Sequence, residues 1–221
     1  MPKKVLLVST LALGLAASAA FANGGMPMAP CPVNAFTPGI IVGLQAGFVD
    51  TGWESFEGSN WNDTGYRVSN DNGFGGRVYL GYDAYDWLGF ELGYLHFFNE
   101  TEIKNGTDKF SDIKTNAIDL VGKLKSPTYE GLGLYAKAGV AYMISTDRNE
   151  SSFGDHDYLK DTVHELEPVY GLGLSYTFPT MQNLSLDLSW TRYDSGNERL
   201  DNEYLPNLDF YALGIAYKFN M

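Results

Sequence analysis

The sequence is short of the residues that build most chemical sites. One cysteine, Cys31, in 221 residues excludes an intrachain disulfide and any cysteine-built zinc knuckle or ribbon. Three histidines and no embedded nucleophile motif leave little material for catalysis. Basic residues are few, 15 against 27 acids for a formal charge of −12. Such a balance lacks the basic patch that nucleic acid requires. Beyond the amino-terminal segment no run approaches the ~18 apolar residues of a spanning helix. What is plentiful is glycine, 25 residues, together with 15 Tyr, 13 Phe and 4 Trp. That aromatic content excludes a disordered chain. Abundant glycine beside it points to strands whose backbones come close or whose side chains are crowded out.

The amino terminus reads as an address. Met1 to Lys4 is basic, Val5 to Ala20 is mostly apolar, and Ala20-Phe21-Ala22 is a small-x-small cleavage pattern. This predicts a secretory signal peptide over 1–22. Residues 23–38, rich in Gly, Pro and Ala, predict a flexible lead-in. Cys31 lies in it as an unpaired thiol with no assigned role.

From Gly39 to Phe219 apolar residues alternate with small or polar ones, the period of strands with two unlike faces. Ile40, Val42, Leu44, Ala46 and Phe48 oppose Gly43, Gln45 and Gly47, and the pattern recurs near residues 74–82, 88–94, 118–124, 132–142, 170–178, 184–190 and 211–219. Eight strands result. Their connections alternate long and short, with long segments at 50–73, 99–115, 144–163 and 194–207 and short ones at 83–87, 126–131 and 179–183. An up-and-down meander produces this pattern when one rim carries four long loops and the other three short turns. About ten tilted residues cross the ~25 Å apolar band of an outer membrane. The fold class expected is therefore all-β, an eight-stranded antiparallel up-and-down transmembrane β-barrel over 39–219.

Crowding decides which face looks outward. Eleven strand glycines fall on the side carrying ionisable residues (Gly43, Gly47, Gly75, Gly81, Gly89, Gly93, Gly133, Gly139, Gly171, Gly173, Gly214), against Gly76 and Gly122 on the other. Eight strands enclose a lumen barely wide enough for side chains, so the glycine side is concave. Tyr82, Tyr94, Tyr142, Tyr176, Trp190, Tyr211 and Tyr217 gather toward strand ends on the apolar side, as interfacial girdles do. The expected arrangement is apolar outside and polar inside.

The stretches Gly73-Phe-Gly-Gly-Arg-Val-Tyr-Leu-Gly-Tyr82 and Asp86-Trp-Leu-Gly-Phe-Glu-Leu-Gly-Tyr94, with Ala117 to Leu124 and Leu134 to Val140, resemble strands of the small outer-membrane β-barrel family typified by the transmembrane domain of outer membrane protein A. The resemblance runs from about Gly39 to Phe219. It implies that Tyr211, Leu213, Ile215, Tyr217 and Phe219 form the carboxy-terminal signal read by the outer-membrane assembly machinery, although Asn220 and Met221 follow the terminal aromatic. It further implies interior charges at Glu91 and Lys123, with Ser175 and Ser185 where relatives carry more. The chain stops at the barrel, without the periplasmic domain of larger relatives, so cell-wall anchoring is not expected.

Arg77, Lys123 and Lys137 face Glu91, Asp119 and Asp187 across the expected lumen. Buried charges need partners, and two stacked layers are predicted, with Glu91–Lys123 and Asp119–Lys137 as neighbours. The long segments carry eighteen acids against seven bases, and Trp53, Phe56, Trp61 and Tyr66 lie in the first. Expected partners are outer-membrane lipid and lipopolysaccharide, the assembly machinery, and a host or surface partner through the loops. A structural and surface-contact role is expected of a monomer, with no enzyme activity, cofactor, metal or nucleic acid. The competing reading is a narrow gated pore for ions or small solutes. Asp155-His156-Asp157 and His164 are the sole catalytic candidates. Amino-terminal sequencing of protein from the outer membrane should begin at Asn23; an intact Met1 would refute the signal peptide.

Overall fold

The computed structural model describes residues 36–51, 66–69, 72–99, 101–105, 108–149, 162–195 and 207–221. The segment 1–35, with the expected signal peptide, most of the lead-in and Cys31, lies outside the described residues. Among the described residues there are ten strands: β1 (Gly39–Thr51), β2 (Tyr66–Ser69), β3 (Asn72–Asp83), β4 (Leu88–Phe97), β5 (Thr101–Asn105), β6 (Asp108–Lys125), β7 (Leu132–Asn149), β8 (Thr162–Phe178), β9 (Met181–Tyr193) and β10 (Leu208–Asn220).

Eight of them close a ring. Antiparallel pairing runs β1–β3–β4–β6–β7–β8–β9–β10 and returns to β1. Val42 faces Leu80 on one side and Tyr217 on the other, so the first strand is paired along both edges. Short turns join β3 to β4, β6 to β7 and β8 to β9. The second of these has a local cause. Glu130 (φ 49°) and Gly131 (φ 86°) are both left-handed, as a type I′ hairpin loop requires. Tyr129 and Leu132 exchange both backbone hydrogen bonds around them.

The alternation resolves into an inside and an outside. Leu44, Leu80, Leu92, Leu120, Leu134, Leu188 and Leu213 are exposed on the outer surface, while Arg77, Glu91, Asp119, Lys137 and Asp187 are buried. Water would not tolerate an apolar girdle of this extent, because soluble monomers rarely expose patches beyond a few hundred Å². Lipid tolerates it, and the inside-out distribution excludes a soluble ligand-carrying barrel.

Three strands are longer than alternation indicates. β6 begins at Asp108 and β7 ends at Asn149, pairing as far as Ser111↔Asn149. β8 begins at Thr162. Segments expected as loops at 99–115 and 144–163 thus contribute strand, and β2 pairs with β5, which pairs with β6. The period-two signal fades along these stretches, while the backbone ladder needs no apolar face to continue. Placing a charge on the lipid face tests the orientation: Leu92→Arg should cost about 2–4 kcal/mol near the bilayer midplane, read as a lower urea midpoint in lipid vesicles. Unaltered stability would place that face in water.

Candidate functional site

The inward positions of β3, β4, β6, β7 and β9 bring the six predicted charges into one lumen, and Arg77 is their hub. Its Nε and Nη2 donate to the two oxygens of Asp119 at 2.9 and 2.5 Å. Its Nη1 donates to Glu91 Oε2 at 3.2 Å and to Gln45 Oε1 at 3.1 Å. The forked guanidinium is suited to this, since it offers five donors in one plane. Lys123 Nζ donates to Glu91 Oε1 at 3.0 Å and to Asp187 Oδ2 at 3.5 Å, and lies 3.8 Å from the centre of the Tyr135 ring. Tyr135 donates its hydroxyl hydrogen bond to Asp187. Tyr193 Oη donates to Asp119 Oδ2 at 3.0 Å, and Gln45 Nε2 to Ser189 Oγ at 3.3 Å.

The layers are therefore joined rather than stacked, because Arg77 binds a carboxylate in each. Glu91 and Lys123 pair directly. Asp119 is taken instead by Arg77 and Tyr193, and Lys137 is buried in the same lumen. Three cations and three anions share this lumen.

Glycine makes the space. A Cβ on Gly93 would fall 2.5 Å from Arg77 Nε, and one on Gly43 or Gly173 would fall 2.2 Å from the ring of Tyr79 or Tyr135. Each of these three side chains lies over a glycine of the neighbouring strand.

Alternation along the strands assigned no role to three parts of the lumen. Tyr79, Tyr135, Gln45, Ser189 and Tyr193 complete the polar shell; all but Gln45 share their strand's inward parity with a named charge, and Gln45 alternates with Gly43 and Gly47 on the inward face of β1. At the turn-side rim Asp83 binds Lys125 at 2.6 Å and Lys218 at 3.2 Å. The same parity extends from Gly81 to Asp83 and from Lys123 to Lys125. Beyond the network, Val49, Leu95, Phe97, Ala117, Met143, Val169, Leu208 and Phe210 form a buried apolar cluster. Its signal was the loss of alternation in Tyr94-Leu95-His96-Phe97, apolar or aromatic on both faces.

The remaining candidates are dispersed. Tyr211, Leu213, Ile215, Tyr217 and Phe219 lie exposed on the outer face of β10, which pairs with β1 at the seam. His96 Nδ1 lies 2.6 Å from Asn116 Oδ1, and His164 stacks on Tyr142 with ring centres 5.6 Å apart. Both histidines are on the outer surface of different strands. Asp155, His156 and Asp157 lie outside the described residues, as do Trp53, Phe56 and Trp61, and nothing is described of the Tyr66 side chain.

A closed antiparallel ring of eight strands, greasy outside and charged within, defines an integral β-barrel of the bacterial outer membrane. The OmpA-like transmembrane domain family matches residues 42–221, and the chain belongs to that family. It is 24% identical over 251 residues to an uncharacterised protein of Coxiella burnetii, covering 96% of this chain and all of that one. It is 25% identical over 169 residues to outer membrane protein A of Shigella flexneri, covering 73% of this chain and 46% of that protein. The chain thus spans about half the length of that relative. Among solved structures it is similar to Neisserial surface protein A (TM-score 0.54, 16% identity, 81% of this chain and 97% of that one) and to OprG of Pseudomonas aeruginosa (TM-score 0.56, 18% identity, 84% and 98%).

Removing the hub strands two buried carboxylates. Arg77→Ala should destabilise the refolded barrel by about 3–5 kcal/mol, the usual cost of an uncompensated buried charge, measured by urea unfolding. Lys123→Ala should act in the same direction through Glu91 and Asp187. A parental midpoint in both variants would show that the network holds nothing together.

Proposed function

We propose that the protein is a closed, non-enzymatic outer-membrane barrel that supports the envelope and makes contacts through its acidic outer segments. The observation that carries this reading is the filled lumen. A charge-balanced network and an apolar cluster, including Phe97 and Phe210 at 4% and 0% exposure, occupy the space that a pore would need. Eight strands leave no continuous water column around such a filling. The outer segments, with eighteen acids against seven bases, suit a basic partner or divalent-cation bridging to lipopolysaccharide. The exposed aromatic-ended β10 suits recognition by the assembly machinery, and the chain acts as a monomer. A signal peptide over 1–22 and a lead-in over 23–38 complete the proposed organisation.

The competing reading is a gated pore in which the ion pairs exchange partners. Purified, refolded protein in planar bilayers decides between them. The closed barrel should show no discrete conductance steps at neutral pH, and reproducible steps would favour the pore.

A further inference from the structure

We propose that the turn-side half of the lumen is a vestibule for water and small hydrophilic solutes. The apolar cluster above it, rather than the ion-pair network, is what seals the barrel. The inference rests on the closed-barrel reading and adds where the closure lies.

Three observations carry it. A cavity of about 160 Å³, lined among others by Tyr79, Asp83, Glu91, Lys123, Ser185 and Lys218, reaches from the turns to the underside of the network. It is wide enough to admit water, and its lining offers the polar partners that water needs. Exposure then falls with depth. The side chains of Lys218 and Lys125 at the rim are 23% and 22% exposed, that of Lys123 is 13%, and that of Arg77 is 0%. Solvent reaches Lys123 from the turn side and stops at Arg77. Above Arg77 the lining changes chemistry. Val49, Leu95, Phe97, Met143 and Phe210 are each 4% exposed or less and outnumber the buried hydroxyls of Thr51, Thr115, Ser145 and Thr191 at that end; these apolar side chains offer an ion nothing to replace its hydration shell. Exchanging partners within the network leaves this section as dry as before.

Two measurements test the proposal, both on the full mature chain with Cys31→Ser as background. In lipid nanodiscs, a charged methanethiosulfonate should modify Ser185→Cys within about tenfold of the rate of an exposed thiol, and Ala141→Cys in the apolar cluster about a thousandfold more slowly, as accessibility governs thiol reactivity. Similar rates at the two positions, or protection of Ser185→Cys, would overturn the vestibule. In planar bilayers, Glu91→Gln with Lys123→Gln should remain closed, and adding Phe97→Ser and Phe210→Ser should produce steps. Conduction by the neutralised pair alone, or none after the cluster is cut back, would overturn the assignment of the seal. Heat-modifiable gel mobility checks folding, and where the cut-back variant does not fold the labelling rates decide. Steps from the unaltered protein would refute the closed-barrel reading itself, a result separable from either labelling outcome.

Discussion

The constraint on which everything else depends is that lipid offers no partner to a backbone N–H or C=O. Unpaired peptide groups in hydrocarbon cost several kcal/mol each, so a strand can enter a membrane only when both its edges are hydrogen-bonded. Here the ring meets that requirement through the seam between β1 and β10, a register running from Gly39↔Asn220 to Thr51↔Leu208. Closing a sheet of eight strands fixes a narrow bore, and the narrow bore dictates the interior. Tyr79, Tyr135 and Arg77 fit because Gly43, Gly173 and Gly93 stand opposite them. The glycines that line the lumen are thus a consequence of ring closure.

Charge inside such a ring is costly, and its placement lowers the cost. A buried ion pair gains little over well-packed apolar residues of the same volume, because desolvation offsets attraction. The arrangement here limits that penalty in two ways. Arg77 satisfies two carboxylates and a carboxamide at once, and Lys123 is not fully desolvated. The network ties β3, β4, β6 and β9 together across two adjoining layers, which opposes slippage of their register. Above it the lumen is filled by Leu95, Phe97, Met143 and Phe210, side chains that pack without partners and need no such compensation.

At the outer rim the physical regime changes again. β6, β7 and β8 run past the apolar band, and there the ladder persists by backbone pairing alone. Acidic residues are concentrated in the long segments between strands, 144–163 among them.

Local rules of the chain settle a large part of this architecture. Alternation in runs such as Leu88 to Tyr94 marks a strand with two unlike faces wherever it is found, and the crowding of glycine on one of them marks the concave side. Eight strands, their order, their inside-out orientation and the six lumen charges follow from those two signals, since each depends on residues adjacent along one strand. The partners of those charges do not follow. Asp119 turned to Arg77 rather than Lys137 because the β6–β7 register sets Lys137 opposite Lys123 and Asp119 opposite Ala141, while the arginine reaches Asp119 from β3, two strands away, once the sheet curls around the lumen. The apolar cluster over the network is a property of closure for the same reason: Val49, Phe97, Met143 and Phe210 come from four strands far apart in the chain and become one layer when the ring brings them to a common height.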